Sequence, residues 1–275
     1  MKTILVTGAR GLVGSHLLDV HGGRFRFHAL ERPAGDLSRP IDPAVLPERI
    51  DGVVYLAQSS RFREFPEGAA DMFQVNVARP LELIEEARAR GATHFVYAST
   101  GSVYAPGDAP LSEGDPAPAN GFYASSKRAA EQLLANYAPL MSVMLLRFFF
   151  VYGAGQKRDM LMPRLADSVR DGRAVSLQGQ DGIRFQPLHA ADAADAVAAA
   201  LEAEGSHTIN VAGPEALSMR EVCEAAGRRI GRTPVFNADA SATPKHLVAD
   251  TSLMARLLGP ATRRFEDGVA DIVES

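Results

Sequence analysis

Apolar runs of five or six residues alternate, through the first half of the chain, with longer stretches rich in Ala and Leu. This is the pattern of parallel strands joined by helical crossovers. Five strands are predicted, at 3–7 (TILVT), 25–30 (FRFHAL), 52–57 (GVVYLA), 94–99 (HFVYAS) and 143–148 (VMLLRF). Most are continuously apolar, so both faces should be buried, as a parallel sheet requires. Helices are predicted at 12–20, 71–90 and 123–137, the last ending near Pro139, which has no N–H for a further helix bond.

After VYGAGQ (151–156) the elements shorten: a helix near 160–171, a strand near 174–178 and an Ala-rich helix over 191–204. The segment SHTINVAGPEALSMREV then reads as a strand, a Gly-Pro turn and a helix start, with Ser218 and Glu221 spaced as a capping box. The Pro/Ala/Gly-rich stretch 105–121 is a long loop, of the kind that often covers an active site. No internal repeat or low-complexity linker divides the chain.

Composition narrows the class. A chain of 275 residues, 46% hydrophobic and 23% charged with net charge -4, can bury a full core and resembles ordinary soluble proteins. Without a basic stripe, neither nucleic acid nor an anionic membrane surface is expected as a partner. The opening MKTILVTGAR meets glycine too soon for a secretory signal, and no stretch approaches the ~18 apolar residues of a membrane helix. The apolar LMSVMLLRFFFVYG is broken by Arg147 and reads as a core strand. The single Cys223 excludes an intrachain disulfide or a Cys-rich zinc site and fits a reducing cytoplasm, the expected location.

TILVTGARGLVGSHLL sets Gly8, Gly11 and Gly14 between a strand and an amphipathic helix. Backbone N–H groups there can approach a pyrophosphate, and the helix N-terminus adds its positive end. The expected fold is therefore α/β: a Rossmann-like doubly wound parallel sheet over 1–150, the dinucleotide-binding domain. A smaller C-terminal substrate-binding region spans 151–275, with part of 181–212 packing back on the core. Such a fold asks for an acid after the second strand to bind the ribose 2′-OH, and Glu31 stands there. Arg32, with Arg10 in the glycine loop, would instead suit the 2′-phosphate of NADP. NAD(H) and NADP(H) are nearly balanced on these residues, and a solvated Glu31–Arg32 surface pair is the plain alternative.

In GFYASSKRAAEQLL, Tyr123 and Lys127 are four apart and share a helix face. A nearby ammonium favours the phenolate of a group whose ordinary pKa is ~10, which would make Tyr123 a general acid or base near neutral pH. The alternative pairs Lys127 with Glu131 one turn on. Ser99, Thr100 and Ser102 lie at a strand's carboxyl end, where open parallel sheets bind ligands. A hydroxyl there could bond a substrate oxygen, or simply form a turn.

Taken together these segments resemble the extended short-chain dehydrogenase/reductases of the nucleotide-sugar epimerase/dehydratase type. The likeness runs through TGARGLVG, the GDL of Asp36 and Leu37, VVYLAQ, VNVARPLELIEEA with Asn76, YASTGSVY, YASSK, LLRFFFVYGAGQ, RFQPLHAADAADA and TINVAGPE. It implies a catalytic set of Thr100, Tyr123 and Lys127, with hydride moving between a nicotinamide and a sugar carbon, usually C4, while the tyrosine moves the proton. Cofactor contacts are implied at Gly8, Arg10, Gly11, Leu12, Val13, Gly14, Glu31, Arg32, Asp36, Leu37, Leu56, Ala57, Gln58, Asn76 and Phe149, besides Tyr123 and Lys127. For the substrate it implies Ser59, Ser102, Phe150 and Arg184, Arg184 as the diphosphate candidate. A homodimer through the helices at 71–90 and 123–137 is a family expectation.

The expected substrate is a nucleoside-diphosphate sugar and the expected activity a sugar-nucleotide 4-epimerase. An NADPH-dependent 4-keto-sugar-nucleotide reductase is the alternative, and a non-catalytic dinucleotide sensor a third reading. Gly101 and Ser102 follow Thr100 where dehydratases typically carry acids, which argues against elimination. Phe150 departs from the Asn that usually contacts the diphosphate, RFQPLHAAD is one residue longer than the common pattern, and the chain is small for the family. A smaller or nucleotide-free sugar would fit these departures. His189 holds a structural position in the family, and no His/Asp/Glu cluster suggests a metal.

Overall fold

The computed structural model describes residues 1–33 and 35–274. β1 (Thr3–Thr7), β2 (Arg26–Leu30), β3 (Gly52–Tyr55), β4 (His94–Thr100) and β5 (Ser142–Phe148) form one parallel sheet with a sixth strand, His207–Val211. The order runs from that sixth strand through β5, β4, β3 and β1 to β2, every neighbouring pair parallel. Chain direction reverses its march across the sheet between β1 and β3, so the carboxyl ends of these strands frame a crevice.

Successive residues of a strand point to opposite faces, and each face has its own apolar layer. Ile4 and Val6 pack with Leu17 of α1 (Leu12–His21) and with Leu188, Val197 and Ile209 from the second half of the chain. Leu5, Val53 and Tyr55 face the other way, onto Leu83 and Ile84 of α3 (Arg79–Ala89) and Leu134 of α4 (Phe122–Leu134). A third cluster, with Met162, Val169, Leu177, Phe185 and Val222, unites α5 (Leu161–Asp171) with α7 (Met219–Ile230). The helix α6 (Ala190–Ala200) belongs to the first layer, where its small side chains let it lie close to α1.

The helix predicted over 71–90 is not continuous. It divides into α2 (Ala69–Phe73), a π-helical segment Gln74–Ala78 and α3. A π-turn widens the backbone by one residue, which re-aims the side chains of one turn; here it buries Asn76 completely. The helix over 123–137 is α4 followed by a 3₁₀ turn, Ala135–Tyr137.

Candidate active site

The glycine loop begins where β1 ends. Gly8 adopts a left-handed φ of 72°, and a Cβ there would lie 2.8 Å from the Ala57 nitrogen. Gly14 is more constrained by neighbours: its Cβ would fall 2.3 Å from the Gly8 carbonyl oxygen. Gly11 precedes α1 as an N-cap that supplies no side-chain hydrogen bond, and the first turn carries no acid. The N–H groups of Leu12, Val13 and Gly14 therefore lack intrahelical acceptors and leave a positive helix end with donors for an anion. A cavity of about 310 Å³ opens there, lined by Gly8, Arg10, Gly11, Glu31, Arg32, Leu37, Ala57 and Gln58 among others. This donor set and this close backbone approach fit the diphosphate of a dinucleotide.

At the cavity's ribose end Glu31 forms an ion pair with Arg10, so the acid and one of the basic residues answer each other. Arg32 lies 3.8 Å from Asp36. The Asp36 carboxylate accepts from the Ser38 N–H at 3.1 Å and its hydroxyl at 2.9 Å, bonds that pull its pKa down. Its neighbour Leu37 does line the cavity.

The loop after β3 is tied down at both sides of Gln58. Ala57 N–H donates to Thr7 Oγ1 at 3.3 Å, and Ser59 N–H donates to Asn76 Oδ1 at 3.1 Å. Asn76 Nδ2 donates onward to Ser126 Oγ at 3.0 Å, so this residue bridges the loop to α4 from its π-turn. Ser59 was expected on the substrate; its hydroxyl is buried and donates to Asp71. Both residues act here as loop anchors. Leu56 packs into the first core layer, its N–H donating to the Thr7 carbonyl at 3.2 Å.

Thr100, Tyr123 and Lys127 converge at the carboxyl end of β4 and the first turns of α4. Tyr123 OH donates to Gln58 Oε1 at 3.0 Å, and the neighbouring Thr100 hydroxyl favours the ionised form of the same phenol. Lys127 Nζ donates to the Ala98 carbonyl at 2.8 Å and lies 4.8 Å from the centre of the Tyr97 ring. It is buried, and burial lowers its ammonium to about 7, against an upward pull from Glu131. Burial likewise pushes the Tyr123 phenol up to about 12, with the Thr100 hydroxyl pulling the other way. One helix face carries both groups, but each is desolvated, and desolvation disfavours both charged forms.

Nor does Lys127 pair with Glu131. That carboxylate is fully buried and receives Arg147 through two bonds, at 2.9 and 2.7 Å, with Arg128 at 3.0 Å and Ser99 Oγ at 2.5 Å. Arg147 continues to Tyr104 OH at 2.6 Å, which donates to Asn210 Oδ1 at 2.8 Å. This buried chain links β4, α4, β5 and the sixth strand beneath the reacting groups. Sequence reasoning missed it, although Tyr123, Lys127 and Glu131 at intervals of four marked one inward helix face. It also missed Phe62, whose ring centre is 5.6 Å from that of Tyr123.

Thr100 Oγ1 accepts from the Ser102 N–H at 3.1 Å, and the Ser102 side chain is exposed beside the turn. Phe149 is buried under that turn, close enough that a Cβ on Gly101 would meet its ring at 2.8 Å. Phe150 holds a φ of 43°, a region Asn tolerates better than a bulky residue. Its ring lies 4.6 Å from that of Phe185, so this position offers apolar surface. Arg184 sits on a short strand, exposed, its guanidinium donating to the Ala216 carbonyl at 2.6 Å. Next to it in sequence, Gly182 and Ile183 line a second cavity of about 520 Å³ with Ser176, Gln178 and Asn237. His189 caps α6 by accepting from Ala191 N–H at 3.1 Å and meets Asp271 at 2.8 Å, a packed structural histidine. Among the described residues no group of His, Cys, Asp and Glu could hold a metal ion, and no helix is long and apolar enough to cross a membrane.

A six-stranded parallel sheet with a dinucleotide-type glycine loop, and a hydroxyl, phenol and amine gathered at its carboxyl edge, defines a nicotinamide-dependent α/β enzyme. The chain belongs to the NAD dependent epimerase/dehydratase family, whose model matches residues 4–212. It is an NAD-dependent epimerase/oxidoreductase, with a nicotinamide dinucleotide as cofactor. A UDP-glucose 4-epimerase of Erwinia amylovora is 27% identical, with 89% of this chain and 92% of the relative covered. The solved structure of MoeE5 in complex with UDP-glucuronic acid and NAD is 27% identical, covering 99% and 98% of the two chains with a TM-score of 0.80. A structure of RMD from Pseudomonas aeruginosa complexed with NADPH shares the fold, with a TM-score of 0.83 at 23% identity over 100% and 98% of the chains.

Proposed function

We propose that this protein is a UDP-sugar 4-epimerase that uses Thr100, Tyr123 and Lys127 for proton movement and a retained NAD for hydride. The observation that carries the reading is the Tyr123 phenol, on one face of α4 with Lys127 and bonded through Gln58 to the wall of the glycine-loop cavity. The names of the relatives, a UDP-glucose 4-epimerase and a protein solved with UDP-glucuronic acid and NAD, support the substrate class.

A bound nicotinamide would supply reversible hydride acceptance at the sugar carbon. The N-terminus of α1 holds the diphosphate, and Glu31 stands where a ribose hydroxyl would donate. Tyr123, once its own proton has left to solvent, takes the sugar hydroxyl proton as oxidation proceeds and gives it back on reduction, with Thr100 beside the same oxygen. Lys127, close to half charged at neutral pH, supplies a positive charge from beneath. Arg184 and the adjoining cavity of about 520 Å³ are the candidates for the nucleotide half of the substrate. Exposed Phe73 on α2 and Leu133 on α4 support a homodimer through those helices. A cytoplasmic location accords with the lone, buried Cys223.

The test is to incubate the purified protein with UDP-glucose and with UDP-glucuronic acid, follow the C4 epimer by proton NMR, and identify the dinucleotide released on denaturation. Formation of a 4-epimer without added cofactor supports the reading; its absence from both substrates refutes it. Arg10 and Arg32 at the ribose end favour a second reading, an NADPH-dependent 4-keto-sugar-nucleotide reductase. That enzyme would consume NADPH and release NADP.

A further inference from the structure

Gln58 entered as one cofactor contact among many, yet its amide oxygen is 3.0 Å from the phenol oxygen of Tyr123 and accepts its proton in a hydrogen bond. We propose that Gln58 is a positioning residue for Tyr123, holding the phenol as a neutral donor until a substrate oxygen takes the place of its amide. The inference rests on the catalytic reading of Tyr123 and adds a residue to it.

Three features of the geometry support this role. The backbone on either side is immobilised, by Thr7 Oγ1 at residue 57 and by Asn76 Oδ1 at residue 59, so the Gln58 amide is presented from a fixed base. Phe62, four residues further along the same loop, packs its ring against Tyr123. The loop thus holds the tyrosine by both ring and hydroxyl. Finally, Gln58 lines the glycine-loop cavity, so a dinucleotide there would contact the residue that restrains the phenol.

The chemistry is specific. A phenol that donates to a neutral amide oxygen is stabilised in its protonated form, because ionisation would leave that oxygen facing another lone pair. Thr100 acts oppositely, its hydroxyl lowering the pKa of the phenol. Tyr123 therefore sits between a group that favours the phenol and one that favours the phenolate. A sugar hydroxyl approaching Tyr123 displaces the amide and removes the bond that disfavours ionisation; the phenol proton then passes to solvent, and the phenolate accepts the hydroxyl proton.

The test needs no substrate. Tyrosine labelled with carbon-13 at Cζ gives six signals, of which Tyr123→Phe identifies one. Between pH 10.5 and 11.5 the fraction of Tyr123 phenolate is compared in wild type, Gln58→Met and Gln58→Glu. Methionine keeps the volume without the acceptor, and loss of one neutral hydrogen bond raises the phenolate fraction about fivefold. The Gln58→Glu carboxylate accepts more strongly and repels the phenolate, so the fraction falls below that of wild type. Opposite shifts support the proposal, because a merely structural residue would move both variants the same way. An unchanged phenolate fraction in folded Gln58→Met overturns it, as does a fall. Epimerase assays on the same proteins separate the two readings. Opposite NMR shifts without any sugar activity leave the positioning role standing and reject the substrate, whereas activity lost in Tyr123→Phe with unmoved signals in the Gln58 variants rejects the positioning role alone.

Discussion

Replacing Lys127 by Met provides a measurement of the electrostatics under the site. The amine is 2% exposed, and its pKa is lowered from 10.5 to about 7 by burial. In the unfolded chain it keeps its ordinary value. Between about pH 7 and 10.5 the unfolded state therefore binds a proton that the folded state lacks, and stability rises with pH across that window. At pH 7.5 the mismatch disfavours folding by about 4 kcal/mol, and at pH 9.5 by about 1 kcal/mol. Methionine removes the term at every pH. It also leaves the Ala98 carbonyl without its donor and loses the van der Waals contact of the amine with the Tyr97 ring, at a combined cost of about 2–4 kcal/mol that does not vary with pH. The variant should therefore be close to wild type in stability, or slightly better, at pH 7.5, and worse by about 1–3 kcal/mol at pH 9.5. Urea denaturation of both proteins at pH 7.5, 8.5 and 9.5 measures this, and groups common to both cancel in the difference. Wild type should gain about 2–3 kcal/mol on the variant over the two pH units. Parallel stability curves would refute the reasoning, since they would mean that the buried amine stays charged.

Other changes test the remaining parts. Tyr123→Phe should lower turnover by about 100-fold or more while the protein stays folded, as thermal melting would show. Gly14→Ala would press a methyl against the Gly8 carbonyl, 2.3 Å away, with backbone on both sides; a loss of about 1–3 kcal/mol and weaker dinucleotide binding by calorimetry are expected. Removing the acid in Glu31→Ala frees Arg10 for a 2′-phosphate, so the affinity ratio of NADP to NAD should rise about tenfold or more; an unchanged ratio would exclude Glu31 from ribose recognition.

The strands and the glycine loop were legible because their signals are local. A continuous apolar run, a glycine at the turn and an amphipathic start to α1 lie within fifteen residues, and the structure repeats them within one or two positions. The contacts made across the sheet were hidden. Glu131 and Arg147 are sixteen apart in sequence and belong to different elements, so only the packing of α4 on β4 and β5 brings them together. The π-turn around Asn76 was hidden for a related reason: it is an adjustment by which one polar side chain reaches Ser59 and Ser126 at once, and no periodicity announces it.

The reacting pair shows most clearly where a sequence argument stops. The spacing of Tyr123 and Lys127 correctly put both on one face of α4, and direction along a helix is all that spacing can supply. Whether a phenol is pulled toward ionisation or held from it depends on depth, and on which neighbour donates and which accepts. Here depth lowers the lysine and raises the tyrosine together, while Thr100 and Gln58 act on one oxygen from opposing chemical positions. A site built this way keeps its proton at rest and gives it up more readily once the amide acceptor is displaced. The amide on the loop after β3 is consequently as much a part of the acid-base problem as the lysine that the motif advertises.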